Sequence, residues 1–199
     1  MELFYSPTSP YSAKVRLAAR YLEIDLTETV IDTNADPAGL IANNPLGKIP
    51  TLSSENGPIF DSRAIMQFLN RETDGGLYPE KNAERTKAEV LEALCDGITD
   101  CLLAMVYERR QRPAEIIHQP WLDRQWGKAK RGLDHLEANP PKIGKDLHGG
   151  HFALAALLGY LGLRFSGEWE SDHPALVAWA QEFGERFADY ERLSPQAAA

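Results

Sequence analysis

The chain has 199 residues, 43% hydrophobic and 25% charged, which is enough apolar material for a sizeable core without a disulfide or metal staple. Its formal net charge of −8 argues against nucleic acid or an acidic membrane surface as the main partner. No apolar run is long enough to span a membrane, and the N-terminus lacks the basic and apolar regions of a signal peptide, so neither is expected. Cys95 and Cys101 are spaced to lie on different faces of a helix, which predicts reduced core thiols in a cytoplasmic protein rather than a disulfide or redox pair.

The first eighty residues mix strands and helices. Leu3–Tyr5 is strand-like. Pro10–Tyr21 is predicted as a helix, with Tyr11, Val15, Ala18 and Leu22 on one face, Ser9 at the N-cap and Pro10 at the first helical position. Leu26–Ile31 alternates and is rich in β-branched residues, so a strand is expected. Asp36-Pro37 has the form of an N-cap followed by proline, opening a short helix that ends near Asn43-Asn44-Pro45. Leu46–Pro50 is a loop, Thr51–Ser53 a strand, Glu55–Pro58 a turn carrying the Asn-Gly hairpin signal, and Ile59-Phe60 a strand. Asp61-Ser62 then caps a helix with Ile65, Met66, Phe68 and Leu69 inward. The order is β-α-β-α-β-β-α.

Thr73–Gly76 breaks this pattern and marks the linker. Beyond Asn82 everything is helical. Ala83 to about Arg110 carries Leu91, Leu94, Ile98, Leu102 and Met105 at helical steps, and Arg109, Arg110 and Arg112 suit a helix C-terminus. Pro120–Glu137 turns Leu122, Trp126, Ala129, Leu133 and Leu136 inward. Phe152–Phe165 is apolar all round, as a helix buried on every side would be, and Pro174–Tyr190 is amphipathic. Ser194–Ala199 reads as a loose tail.

Three loops of the first half can carry chemistry. Ser9 is either a plain N-cap or a hydroxyl offered to an anion at a helix N-terminus; the first turn holds no acid, while Lys14 and Arg16 follow closely. Pro50 is either a trans proline opening an edge strand or a cis one that turns the backbone N–H and C=O of Ile49 outward. Asp61-Ser62 is either a helix cap or a pair in which Asp61 holds an ammonium beside a carboxylate held by Ser62, the two charges of an amino-acid head.

Serine at the start of the first helix, the Asn44-Pro45-Leu46-Gly47-Lys48-Ile49-Pro50 loop, Asp61-Ser62 opening a helix and an all-helical second half together resemble the glutathione transferase family. The resemblance covers nearly the whole chain, including His173–Leu176 with Trp179, and Ser9-Pro10-Tyr11 is similar to its bacterial serine-type members. It implies a thioredoxin-like glutathione-binding domain over residues 1–77 and a helical domain over 82–199 that completes the electrophile site. It implies that Ser9 hydrogen-bonds the glutathione sulfur, that Ile49, before Pro50, pairs with the cysteinyl backbone, that Asp61 and Ser62 hold the γ-glutamyl group, and that Lys48 reaches the glycyl carboxylate. Tyr11 and Tyr107 would line a pocket for a small hydrophobic electrophile, and Asp100, or Asp96, would contact the partner subunit's glutathione in a homodimer. Glutathione is the implied co-substrate, with no metal. A thiol redox enzyme of this fold needs cysteine near position 9, and a related isomerase a Ser-Ser-Cys pattern; both are missing, which leaves a non-catalytic glutathione-binding or interaction module as the alternative. Asp61 replaces the usual glutamate. His148-Gly149-Gly150-His151 stands where the family has Ser/Thr-x-x-Asp, so a missing helix cap is expected, at a cost of about 1 kcal/mol. His148 and His151, at i and i+3, lack a third nearby ligand and are not expected to hold a metal.

Overall fold

The structure is a computed structural model and describes residues 1–197. Its first half is a four-stranded sheet in the order β2-β1-β3-β4, formed by β1 (Glu2–Tyr5), β2 (Thr27–Val30), β3 (Thr51–Ser54) and β4 (Gly57–Ile59). β1 runs parallel to β2 and antiparallel to β3, with Leu3 opposite Leu52, and both leucines are fully buried. The parallel pair needs a crossover, which α1 (Pro10–Tyr21) supplies. Pro58 sits in β4, an edge strand, where a missing N–H costs no ladder bond. The hairpin turn is Glu55-Asn56, and Gly57 opens β4 at φ +106, which only glycine adopts without strain.

α2 (Ala38–Asn43) starts later than the sequence predicts. Asp32 caps a 3-10 turn over Thr33–Ala35, Asp36 adopts a left-handed conformation, and Pro37, not Asp36, occupies the N-cap. α3 (Ser62–Glu72) follows, capped by Asp61, whose Oδ1 accepts from the Arg63 N–H at 3.0 Å. The linker is tied down by Asn70, whose Oδ1 accepts from the N–H groups of Leu77 and Tyr78.

The second half consists of α4 (Asn82–Gln111), α5 (Gln119–Ala138), α6 (Gly149–Arg164), α7 (Pro174–Arg186) and α8 (Tyr190–Leu193). α6 is its hub. It packs on α1, α4 and α7, and nearly every residue from Gly149 to Leu161 is buried. Gly150 is needed there because an added Cβ would sit 2.9 Å from the Ala88 carbonyl oxygen on α4. The expected missing cap is corrected in part: the Nδ1 of His151 accepts from the His148 N–H at 3.1 Å, which the family's acid would otherwise do. His148 Nδ1 itself is buried without a partner. The expected loose tail is also corrected. Pro195 packs on Gly159 of α6, and the Gln196 N–H donates to the Pro7 carbonyl at 2.9 Å; Ala198 and Ala199 lie outside the described residues. The whole is a thioredoxin-like α/β domain followed by a helical one.

Candidate functional site

α1 begins where β1 ends, so the Ser6–Ser9 loop brings a helix N-terminus to the sheet edge. Ser9 caps that helix: its Oγ accepts from the Ser12 N–H at 3.2 Å, and its own N–H donates to Ser6 O. The hydroxyl proton is therefore not used by the cap. Its hydroxyl neighbours Thr8 and Ser12 differ. Thr8 Oγ1 lies 3.1 Å from Ser6 Oγ, and Ser12 Oγ is fully buried with no partner.

Asn44 builds the next loop. Its amide donates to Lys48 O at 2.8 Å and to Thr51 Oγ1 at 3.1 Å, and its Oδ1 accepts from the Leu46 N–H, while Gly47 takes φ +59. The Ile49–Pro50 peptide is cis. Neither the N–H nor the C=O of Ile49 has a hydrogen-bond partner among the described residues, and the Lys48 ammonium pairs with no carboxylate. Asp61 exposes 68% of its side chain at the start of α3, whereas Ser62 is buried and its hydroxyl has no hydrogen-bond partner among the described residues.

Behind these loops lies a polar network that local sequence does not reveal. Lys14 is 1% exposed, so it does not lend charge to the cleft beside Ser9, contrary to expectation. Its Nζ lies 3.0 Å from Glu92 Oε1 and 2.8 Å from Asp96 Oδ2 on α4, and the Tyr78 hydroxyl donates to Glu92 at 2.6 Å. Arg16 is spent on Glu28 and stacks over Tyr5. Arg63 was missed. Its Nε contacts Asp96 at 3.0 Å, and its terminal nitrogens stand 4.0 Å from Asp61 and from Asp100. Asp96 is buried and doubly paired, whereas Asp100, one turn further along α4, is 59% exposed and accepts a hydrogen bond from Tyr11. Burial, that bond and the Asp100 charge push the Tyr11 phenol up.

Tyr107 is 49% exposed on the last turns of α4. Tyr160 of α6, a residue absent from the expected pocket, is 2% exposed, and burial pushes its phenol up to about 12 against the pull of Arg164 and Arg110. Cys95 and Cys101 are free thiols, both raised chiefly by burial. No cluster of three His, Cys, Asp or Glu side chains among the described residues is arranged for a metal.

A thioredoxin-like sheet with its strand-end loops beside a helix N-terminus, followed by a helical domain, is the two-domain fold of the glutathione transferases. Family models agree: the glutathione S-transferase N-terminal domain matches residues 3–76 and its C-terminal domain residues 119–182. An uncharacterized GST-like protein, YibF of Escherichia coli (strain K12), is 33% identical over 98% of both chains. A glutathione S-transferase of Methylobacillus flagellatus KT, crystallised with glutathione bound, is 32% identical over 98% of this chain and 99% of its own, with a TM-score of 0.89. A family member from Pseudomonas fluorescens Pf-5 is 34% identical over 98% and 99%, with a TM-score of 0.88 and glutathione bound; the same protein has been solved with S-(propanoic acid)-glutathione. The chain belongs to the glutathione S-transferase family.

Proposed function

We propose that the chain is a glutathione S-transferase in which Ser9 stabilises the glutathione thiolate for attack on a small electrophile. The observation that carries this reading is the Ser9 hydroxyl, which accepts from the Ser12 N–H and keeps its own proton free at the N-terminus of α1. A hydrogen bond to a charged acceptor is worth about 1.5–3 kcal/mol, which lowers a thiol by about one to two pK units and makes thiolate a major species near neutral pH. Residues 1–77 form the glutathione-binding domain, and 82–199 complete the electrophile site beside Tyr11 and Tyr107.

The free N–H and C=O of Ile49 suit the cysteinyl backbone. Exposed Asp61 and the unpartnered Ser62 hydroxyl suit the ammonium and carboxylate of the γ-glutamyl group, and Lys48 suits the glycyl carboxylate. The functional unit is a homodimer in which Asp100 reaches the γ-glutamyl group held by the second copy. The bound ligands of the Methylobacillus and Pseudomonas relatives support glutathione as the co-substrate.

The test is Ser9→Ala assayed with 1-chloro-2,4-dinitrobenzene near pH 6.5. Conjugation falls roughly 10–100-fold, in line with loss of one charge-assisted hydrogen bond, while the glutathione dissociation constant changes little. Undiminished turnover in the variant removes Ser9 from the mechanism. Glutathione binding without turnover in the wild-type chain points instead to a binding module.

A further inference from the structure

Ser9 ends a short loop that has few bonds of its own. Ser6-Pro7-Thr8-Ser9 is a turn closed by the Ser9 N–H, which donates to Ser6 O at 3.0 Å. Pro7 stands at the second position, where its fixed φ suits a turn, and its carbonyl belongs to the central peptide. That carbonyl has no partner within the loop. The Gln196 N–H, from the segment after α8, donates to it at 2.9 Å. Among the described residues this is the one main-chain hydrogen bond that reaches the turn from the helical domain.

The segment that delivers the N–H is firmly seated. Asp189 pairs with Arg20 in the last turn of α1. The Tyr190 hydroxyl donates to the Ala155 carbonyl of α6 at 3.1 Å, and Leu193 is buried. Pro195, also buried, lies against Gly159 of α6, where an added Cβ would come within 2.7 Å of the Pro195 ring. Glycine is a poor helix former, and its place in the middle of α6 is accounted for by the proline it admits. The Gln196 side chain turns back to the Glu191 carbonyl, so its main chain alone meets the loop. Residues 189–196 therefore touch both ends of α1, the last turn at Arg20 and the loop before the first turn at Pro7.

We propose that Pro195 and Gln196 are positioning residues for Ser9: seated on Gly159, they pin the Pro7 carbonyl and through the turn hold the Ser9 hydroxyl at its place on the N-terminus of α1. This rests on the transferase reading and gives the helical domain a part in stabilising the thiolate. A hydrogen bond to sulfur depends on distance and angle, so a turn released from this strap spends less time with the Ser9 proton aimed at the thiolate.

Two substitutions release the strap and leave the turn's own residues intact. Gln196→Pro deletes the donor, whereas Gln196→Ala keeps it. Gly159→Ala pushes Pro195 off α6 with a residue that itself favours the helix. Each is assayed with glutathione and 1-chloro-2,4-dinitrobenzene beside wild type and Ser9→Ala. In Gln196→Pro and Gly159→Ala, kcat falls roughly two- to tenfold, the scale of one hydrogen bond, while the glutathione KM and the melting temperature stay close to wild type. Gln196→Ala stays with the wild type. The ultraviolet absorbance of the bound thiolate, titrated with pH, reads the same effect without turnover: the glutathione thiol titrates roughly half to one pK unit higher in the two releasing variants. Wild-type kcat and an unmoved thiol titration in both, with Ser9→Ala impaired, overturn the strap and leave the transferase reading standing. Equal losses in Gln196→Ala and Gln196→Pro also overturn it, because the N–H is then not what holds the loop. A shifted thiol titration with no turnover by any form supports the strap and overturns the transferase reading instead.

Discussion

Lys14 is the test of whether the buried network behind the site holds the two halves together. Lys14→Met removes an ammonium that lies 3.0 Å from Glu92 and 2.8 and 2.9 Å from the two Asp96 oxygens, and leaves two carboxylates at 6% and 3% residue exposure. Removing one partner of a buried ion pair costs about 3–5 kcal/mol, because the remaining charge is uncompensated. Here Arg63 still contacts Asp96 and the Tyr78 hydroxyl still donates to Glu92, which places the expected loss near the lower end, at about 3 kcal/mol. Urea unfolding followed by circular dichroism reads this directly, and the melting temperature drops by on the order of 10 °C. The pH dependence is diagnostic. Without the ammonium the site holds more buried negative charge than positive, and acid relieves that imbalance, so the deficit shrinks as pH falls from 7 toward 5. A second substitution, Glu92→Gln in the Lys14→Met background, recovers part of the loss. A deficit under about 1 kcal/mol, or one that does not narrow on acidification, refutes the reasoning.

Asp61 carries both a cap and a charge, and two variants separate them. Asp61→Ala weakens glutathione binding and costs roughly 1 kcal/mol of stability, whereas Asp61→Asn keeps a good N-cap and loses only affinity, by about tenfold; isothermal titration with unchanged dissociation constants rules out the γ-glutamyl assignment. At the head of α6, burial and then the His151 charge push His148 down to about 4, and burial lowers His151 as well. Both rings favour their neutral form in the folded state, so stability is full above the unfolded value of about 6.5 and is lost as pH falls toward 4. For the half-buried His148 the loss is up to about 2 kcal/mol once solvent screening is allowed for. His148→Ser supplies the missing cap hydroxyl, gains roughly 1 kcal/mol at pH 7 and flattens the difference between pH 6.5 and 4.5; urea midpoints that track the wild type across that range count against this account.

How much was legible depended on the range of the interaction. α1 was readable to the residue because Ser9, Pro10 and the apolar period are all local signals. Asp36-Pro37 had the same local form but lost to a competitor, since Asp32 caps a 3-10 turn just upstream and shifts the helix start. Lys14 was misplaced for a different reason. Its partners lie 78 and 82 residues away, and no local pattern distinguishes a lysine facing water from one facing two buried acids. Arg63 reads locally as an exposed helical position, and its role exists only once α3 and α4 are adjacent. His151 replaced an acid with a neutral ring acceptor, which composition rules do not anticipate; its Nε2, 3.1 Å from Lys142 O, fixes the tautomer that leaves Nδ1 free to accept.

The disposition of cations then bears on the chemistry. Lys14 and Arg63 both neutralise Asp96, and Arg16 is held by Glu28, so none of the three is left to face a thiolate at Ser9. The first turn of α1 holds no acid to oppose one either. Stabilisation of the thiolate therefore falls to the Ser9 hydroxyl and the dipole of α1, whose contributions are about 1.5–3 and 0.3–1 kcal/mol. That limits the lowering of the glutathione thiol to roughly one to three pK units, from about 8.5 to between about 5.5 and 7.5. A thiolate held this way is abundant at neutral pH and keeps much of its nucleophilicity, because nucleophilicity falls only about half as steeply as basicity.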